Sequence, residues 1–151
     1  PQKEVKGRLT SVTRWSVEGF WQGIPLSKIL QAVAVKENCR YIRFWSINKI
    51  YDTSIPIEIA NKEKSLLAYS FDGELLTEDY GGPIRAFIPY LWGYKSAKSV
   101  VAIELMDYYV PGFWEKRGYT DSGEIEAGPC RDLNDGGKIK YIPDGEVLKF
   151  N

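Results

Sequence analysis

An α+β fold of mixed β-sheets with few helices is predicted by three features of the sequence. One amphipathic helical run stands near the N-terminus. A succession of short, β-rich segments follows it. No regular alternation of strand and helix, the mark of a βαβ series, is present. At 151 residues the chain has the length of one ordinary domain. A composition of 44% hydrophobic and 26% charged residues excludes a disordered chain.

The elements follow in order. Residues 1–10 are polar and basic and read as an entry strand or a loose arm. In Pro25–Val33, the residues Leu26, Ile29, Leu30 and Val33 recur at i, i+3, i+4 and i+7, one apolar helical face. Pro25 suits a first turn, where its missing N–H costs nothing. Glu37-Asn38-Cys39 is a turn. Tyr41–Ile47 is rich in β formers and reads as a strand. Ser54–Ala60 is ambiguous and admits a short helix. Leu66–Phe71, Asp72-Gly73 and Glu74–Leu76 form a strand, a tight turn and a short return. Gly81-Gly82-Pro83 breaks structure, Ile84–Pro89 is a strand ended by proline, and Ser99–Leu105 is another strand. Thr120–Gly137 is Gly- and Asp-rich and reads as a long loop. Lys138–Ile142, Pro143-Asp144-Gly145 and Glu146–Phe150 then read as a terminal hairpin. The division is residues 1–119 as the main domain and 120–151 as an extension packing on it.

Charge and missing residue types narrow the function. Lys plus Arg equals Asp plus Glu, 20 against 20, so no long-range field attracts nucleic acid or an anionic membrane. No apolar run approaches the roughly 20 residues of a membrane helix. Histidine is absent, which removes Ser-His-Asp and Cys-His catalysis, HExxH zinc sites and haem ligation by His. Cys39 and Cys130 lie too far apart for a CxxC pair; they stand as one disulfide or as two isolated thiols. The sequence opens on Pro1 and reads as a processed product or a fragment, so a missing targeting segment carries no information.

The most informative stretch is Tyr80–Ile103, which holds Arg85, Lys95 and Lys98 and no acid. Gly81, Gly82 and Gly93 allow backbone N–H groups to approach a ligand closely. A flexible loop Gly93–Lys98 with two ammonium groups suits a phosphate; a solvated basic loop explains the same residues. Arg14 beside Trp15 could anchor an anion, although Trp15 and Trp21 also read as core. An aromatic face that stacks sugars or bases would need several Trp or Tyr exposed on one face; burial of Trp15, Trp21, Trp45 and Trp92 would remove it. Asp132–Gly136 fails as a calcium loop, because Gly136 takes a ligand position and no Glu closes it.

Several motifs, in order, resemble one family. They are Ser11-Val12-Thr13-Arg14-Trp15-Ser16, Trp21–Leu26, Leu66-Leu67-Ala68, Gly81–Pro89, Gly93–Val100 and Pro111–Tyr119. Together they resemble the molybdopterin-binding domain of the sulfite oxidase family, in its bacterial branch, which includes the catalytic subunit of the periplasmic methionine sulfoxide reductase. The likeness spans roughly residues 8–119. It implies a deep pocket and molybdenum held by the dithiolene of a pterin whose phosphate the protein grips. It implies that Arg85 and Lys98 contact the pterin or its phosphate and that Ser96 and Ala97 offer backbone groups beside it. Ser46 supplies a nearby hydroxyl, and Arg14 contributes positive charge near the pocket. It also implies oxygen-atom transfer to or from a small sulfur-containing substrate, with room for an electron-transfer partner protein. Two departures stand out. The family's molybdenum-ligating cysteine is Ser11 here, a harder donor that holds its proton more tightly. A segment preceding that cysteine in the family has no counterpart. Three readings of Ser11 stay open: an alkoxide ligand, an altered cysteine, or a domain that keeps the fold as a non-catalytic binding module.

Overall fold

The computed structural model describes residues 2–142. Two sheets carry the chain. The larger has seven strands: β1 (Lys3–Thr10), β2 (Trp15–Pro25), β5 (Leu66–Phe71), β6 (Glu74–Leu75), β7 (Arg85–Phe87), β9 (Gly128–Asp132) and β10 (Lys138–Ile142). The smaller has three: β4 (Asp52–Pro56), β3 (Tyr41–Ser46) and β8 (Val100–Met106), with β3 central. The helices are α1 (Leu26–Ala32) and α2 (Ile57–Ala60). No helix among the described residues is long and apolar enough to cross a membrane.

The eleven-residue β2 organises the larger sheet. It pairs antiparallel with β1 along most of its length, antiparallel with β5 at its C-terminal end, and parallel with β9 at Trp15 and Ser16. In β3 the alternation is regular: Ile42, Phe44 and Ser46 point inward, and Tyr41, Arg43 and Trp45 outward. The main core lies between the sheets. Leu26 and Leu30 of α1, Ile42 and Phe44 of β3, Ile55 of β4, and Ala86, Ile88 and Ala97 pack there. A second cluster joins Trp92 and Tyr94 to Ile125, Cys130 and Ile142, so residues 120–142 bury apolar side chains against the preceding chain.

Several expectations change here. The helical face is Leu26, Ile29 and Leu30 without Val33, because Val33 caps the helix and Ala34 turns the chain at φ 50. Ser54–Ala60 divides: Asp52–Pro56 is strand, since β3 pairs with it throughout, and only Ile57–Ala60 is helical. The expected long loop 120–137 contains β9, and Lys138–Ile142 pairs with β9. The second arm expected at Glu146–Phe150 lies outside the described residues. Cys39 and Cys130 are both buried free thiols. Trp21 is core at 3% exposure, but Trp15 is 43% exposed. Of the four tryptophans weighed for a stacking face, two are core and two carry an arginine over the ring. Trp21 and Trp92 are buried, Arg131 lies over Trp15 at 5.7 Å, and Arg43 covers Trp45 at 4.1 Å.

Candidate functional site

A cleft of about 500 Å³ opens where β3, β7 and the segment 93–99 converge. That volume suits a small molecule or cofactor. Its polar wall is made by Ser46, Arg85, Ser96, Lys98 and Ser99. Tyr51 and Tyr94 line it as well, Glu78 is its acid, and Ile47, Ile50 and Trp114 give it an apolar side.

Each polar group arrives by a local cause. Ser46 ends β3 on the inward side of the alternation, and its hydroxyl donates to the Lys98 carbonyl at 2.6 Å. Arg85 is the first residue of β7, all of whose side chains are buried. Its guanidinium donates to the carbonyls of Tyr80 at 2.9 Å, Ser96 at 3.0 Å and Ala86 at 3.3 Å. None of these partners is charged, and no carboxylate among the described residues forms an ion pair with it. Burial therefore lowers the Arg85 pKa to about 10, opposed in part by Tyr51. At neutral pH the charge is present and uncompensated.

The three serine hydroxyls differ. Those of Ser46 and Ser99 donate to backbone carbonyls, the latter to Gly82 at 2.8 Å. Ser96 Oγ instead accepts the Ile88 N–H at 2.8 Å, which leaves its own O–H to donate into the cleft. Lys98 is exposed and donates to the Asp79 carbonyl at 2.9 Å. Tyr51 donates its hydroxyl to the Tyr94 carbonyl, and burial, followed by Glu115, pushes that hydroxyl far above its ordinary pKa. It stays a neutral donor.

The cleft thus gathers Ser46, Arg85, Ser96 and Lys98. Ala97 lies in the core behind them, its carbonyl accepting the Ala86 N–H at 2.8 Å. Arg14 points away from the lining: its Nη1 donates to the Glu126 carbonyl at 2.8 Å and its guanidinium lies 5.1 Å from the Trp92 ring. Ser11 opens the tight loop joining β1 to β2. Its carbonyl accepts the Arg14 N–H at 2.8 Å, and its Oγ accepts the Thr13 N–H at 3.2 Å. It borders the cleft through Gly93: a Cβ on Gly93 would stand 3.4 Å from the Thr10 carbonyl and 3.7 Å from Ser11 Cα. A Cβ there would make ordinary van der Waals contacts, so the hairpin abuts the segment 93–98.

The expected flexible loop with two free ammonium groups is not formed. Lys95 is fully buried against Glu115 at 3.0 Å. Only Lys98 presents an ammonium at the cleft. Tyr51, Ser99, Glu78, Trp114, Ile47 and Ile50 were not expected; no periodicity marks them, although Ser99 and Trp114 fall within the family-like motifs. Among the described residues no cluster of three or more His, Cys, Asp or Glu could hold a metal ion, Asp132–Gly136 included. The donor set fits an anionic, hydrogen-bonding organic group that would bring any metal with it.

Comparisons agree with this geometry. A family described as the oxidoreductase molybdopterin binding domain matches residues 2–114. The uncharacterized oxidoreductase YuiH of Bacillus subtilis is 36% identical over 125 residues, covering 82% of this chain and 63% of that protein. The protein-methionine-sulfoxide reductase catalytic subunit MsrP of Ralstonia nicotianae is 30% identical over 128 residues, covering 76% of this chain and 39% of MsrP. Thus the chain spans between about two fifths and under two thirds of these relatives. The crystal structure of the sulfane dehydrogenase SoxCD from Paracoccus pantotrophus superposes with a TM-score of 0.69, covering 96% of this chain and 39% of that one. At 17% identity that likeness speaks for the sulfite-oxidase-like fold. The chain belongs to the family of oxidoreductase molybdopterin-binding domains.

Proposed function

We propose that this chain holds a molybdenum pterin for oxygen-atom transfer to or from a small sulfur-containing substrate, a sulfoxide of the kind named for MsrP being the first candidate. One observation carries the reading. Arg85, 5% exposed, keeps its charge in a cleft with carbonyls as its hydrogen-bond partners, the Trp21 ring 5.8 Å away and no paired carboxylate among the described residues. An unpaired buried cation is costly unless a ligand neutralises it, and a phosphate does so.

When bound, the molybdenum and its dithiolene supply two-electron redox chemistry; the protein supplies binding, orientation and exclusion of competing reactions. Arg85 and Lys98 would hold the phosphate, Arg85 through a preorganised planar fork and Lys98 as a mobile point charge. The Ser96 O–H would donate beside them, and the backbone of Ser96 and Ala97 would border the pterin. Ser46 keeps the Lys98 carbonyl turned away from the anion by donating to it. Ile47, Ile50 and Trp114 offer an apolar wall for the carbon part of a thioether or sulfoxide and limit water at that side. Arg14 acts at a distance, by fastening residues 126–131 to the hairpin that carries Ser11.

A second reading has its own observation. The Ser11 hydroxyl is committed to its own loop, 2.8 Å from Thr13 Oγ1 and accepting the Thr13 N–H. That suits a turn residue better than an alkoxide ligand and favours a module that binds the pterin without completing its metal centre.

The test is elemental molybdenum and released-pterin fluorescence per chain, on protein produced in a host that makes the cofactor. Near-stoichiometric pterin, lost in Arg85→Gln, supports the cofactor site. Pterin without metal supports the second reading. Neither in the parent protein overturns both.

A further inference from the structure

Behind the inner wall of the cleft lies a fully buried ion pair. Lys95 and Glu115 side chains are both 0% exposed, with Nζ 3.0 Å from Oε1. Lys95 Nζ also donates to the Ser54 carbonyl at 2.9 Å, and Glu115 Oε1 accepts the Thr53 hydroxyl at 2.7 Å. The ammonium stands 5.7 Å and 5.6 Å from the ring centroids of Tyr94 and Tyr109. Its stem passes Gly123, at φ +67, where a Cβ would come within 2.7 Å of Lys95 Cγ. Strand β4, the turn 93–95, the turn 115–117 and the loop at Gly123 therefore meet at one side chain.

Such a pair is weak evidence for stability, because apolar replacement of a buried ion pair is often neutral or favourable. What it does fix is geometry. Lys95 runs from its segment toward β4 and Glu115, while Ser96 and Lys98 line the cleft. Elsewhere the same segment bonds to uncharged partners: Arg85 donates to the Ser96 carbonyl, Tyr51 to the Tyr94 carbonyl, the Tyr94 hydroxyl to the Thr120 carbonyl, the Ile88 N–H to Ser96 Oγ, the Ala86 N–H to the Ala97 carbonyl, Ser46 to the Lys98 carbonyl and the Lys98 ammonium to the Asp79 carbonyl. Glu115 Oε2 has no hydrogen-bond partner, so this carboxylate is held entirely through the oxygen that faces Lys95 and Thr53.

We propose that Lys95 is a positioning residue: paired with Glu115, it fixes the backbone of residues 93–98 so that Ser96 and Lys98 meet the anionic part of a bound pterin, which Lys95 itself does not touch. The proposal rests on the cofactor reading above. It differs from a phosphate-binding role for Lys95, whose ammonium faces β4 and Glu115.

The test compares the parent with Lys95→Met/Glu115→Gln, Lys95→Met alone and Lys95→Arg. The double variant leaves neither charge unpaired and keeps the Thr53 bond, so its melting temperature stays near the parent's. Two quantities are read: pterin per chain, and amide hydrogen exchange in the cofactor-free protein. Outer partners that orient metal ligands cost roughly 10–100-fold in metal affinity when lost, and by analogy a loss of pterin retention on that order is expected here. Faster exchange confined to residues 93–98 accompanies it, and Lys95→Arg, which keeps the pair, recovers pterin. Lys95→Met alone exchanges faster throughout, because it strands Glu115. Parental pterin in the double variant overturns the proposal, as does unchanged exchange at 93–98. If the parent carries no pterin, the cofactor reading fails and with it the role toward a pterin. The exchange data then still decide, on their own, whether Lys95 tethers the segment.

Discussion

Two arginines are buried to nearly the same degree at two ends of the molecule, and the fold treats them oppositely. Arg8 on β1, 3% exposed, meets Asp132 of β9 at 3.0 Å and Ser16 of β2 at 3.2 Å. Asp132 in turn meets Lys140 of β10 at 3.1 Å. That end is neutralised by its own chain. Arg85, 5% exposed, bonds only to carbonyls. Both side chains cost desolvation; only the first is compensated by the fold. The difference separates a charge kept for architecture, tying β9 and β10 to the first two strands, from a charge held ready for something absent from the chain.

The largest effect expected from this contrast is at the neutralised end. Asp132→Ala takes the nearest carboxylate from Arg8, leaving Glu18 at 4.0 Å and the Ser16 hydroxyl, and breaking a buried pair from one side costs about 3–5 kcal/mol. For a chain of this size each kcal/mol moves the melting temperature by roughly 2–4 °C, so thermal unfolding should come well over 5 °C lower by about that scale. A change within 2 °C of the parent, on the same scale, would put Arg8 in the same class as Arg85 and dissolve the comparison. Acid reads the same pair. Burial alone raises the Asp132 pKa, but the bonds from Arg8, the Asn134 N–H and Lys140 together hold it below its ordinary 3.8. A carboxylate depressed in the folded state contributes stability above its unfolded pKa and loses it as pH falls through the folded one. The β9–β10 hairpin should therefore loosen below pH 3.8. Exchange of its amides against pH checks this, and Asp132→Asn should flatten that dependence.

The first of these ends was hidden in the sequence and the second was partly legible. Arg85 announced itself because Tyr80–Ile103 is free of acid and rich in glycine, a local signal. Ser46 came from the family resemblance, and the alternation of β3 turns it inward. Arg8–Asp132 could not be read, because its partners are 124 positions apart and the β2–β9 pairing that unites them is parallel and only two residues long. Lys95 was misplaced for a related reason. Its composition says solvated loop, and only the return of the chain at Glu115 makes a dry site for it. The same limit applies to Trp15. An aromatic on a β-rich segment reads as core, but Trp15 stays exposed, with Arg131 over its ring and Gly137 beside it.

At the uncompensated end the expected effect is of intermediate size. An anion that fills the site should stabilise the fold by mass action, about 2.7 kcal/mol at a concentration 100 times its dissociation constant. Inorganic pyrophosphate is a suitable probe: it should raise the melting temperature of the parent and leave that of Arg85→Gln unmoved. The effect should fade as pH passes about 10, where the folded chain releases the Arg85 proton and the anion loses its partner. An equal rise in both proteins would place the anion elsewhere and remove the ligand argument from the comparison.

The smallest expected effect lies between the two ends, at Ser11, on the loop that joins the strand carrying Arg8 to the edge of the cleft. Its Oγ accepts the Thr13 N–H and stands 2.8 Å from Thr13 Oγ1. Side-chain bonds of this local kind are worth about 1 kcal/mol at chain turns and helix starts. Ser11→Cys replaces a good acceptor with a weak one, so a loss of about 1 kcal/mol or less is expected. Gly93 holds the site within contact distance of the cleft, so the same change tests chemistry independently of that cost. A thiolate is a softer and stronger ligand for a transition metal than a serine hydroxyl. The variant should then retain more molybdenum per pterin while melting slightly lower. Lower melting without added molybdenum would make Ser11 a turn residue alone, and would leave Arg85 as the sole site at which the chain prepares for its cofactor by leaving a charge unmet.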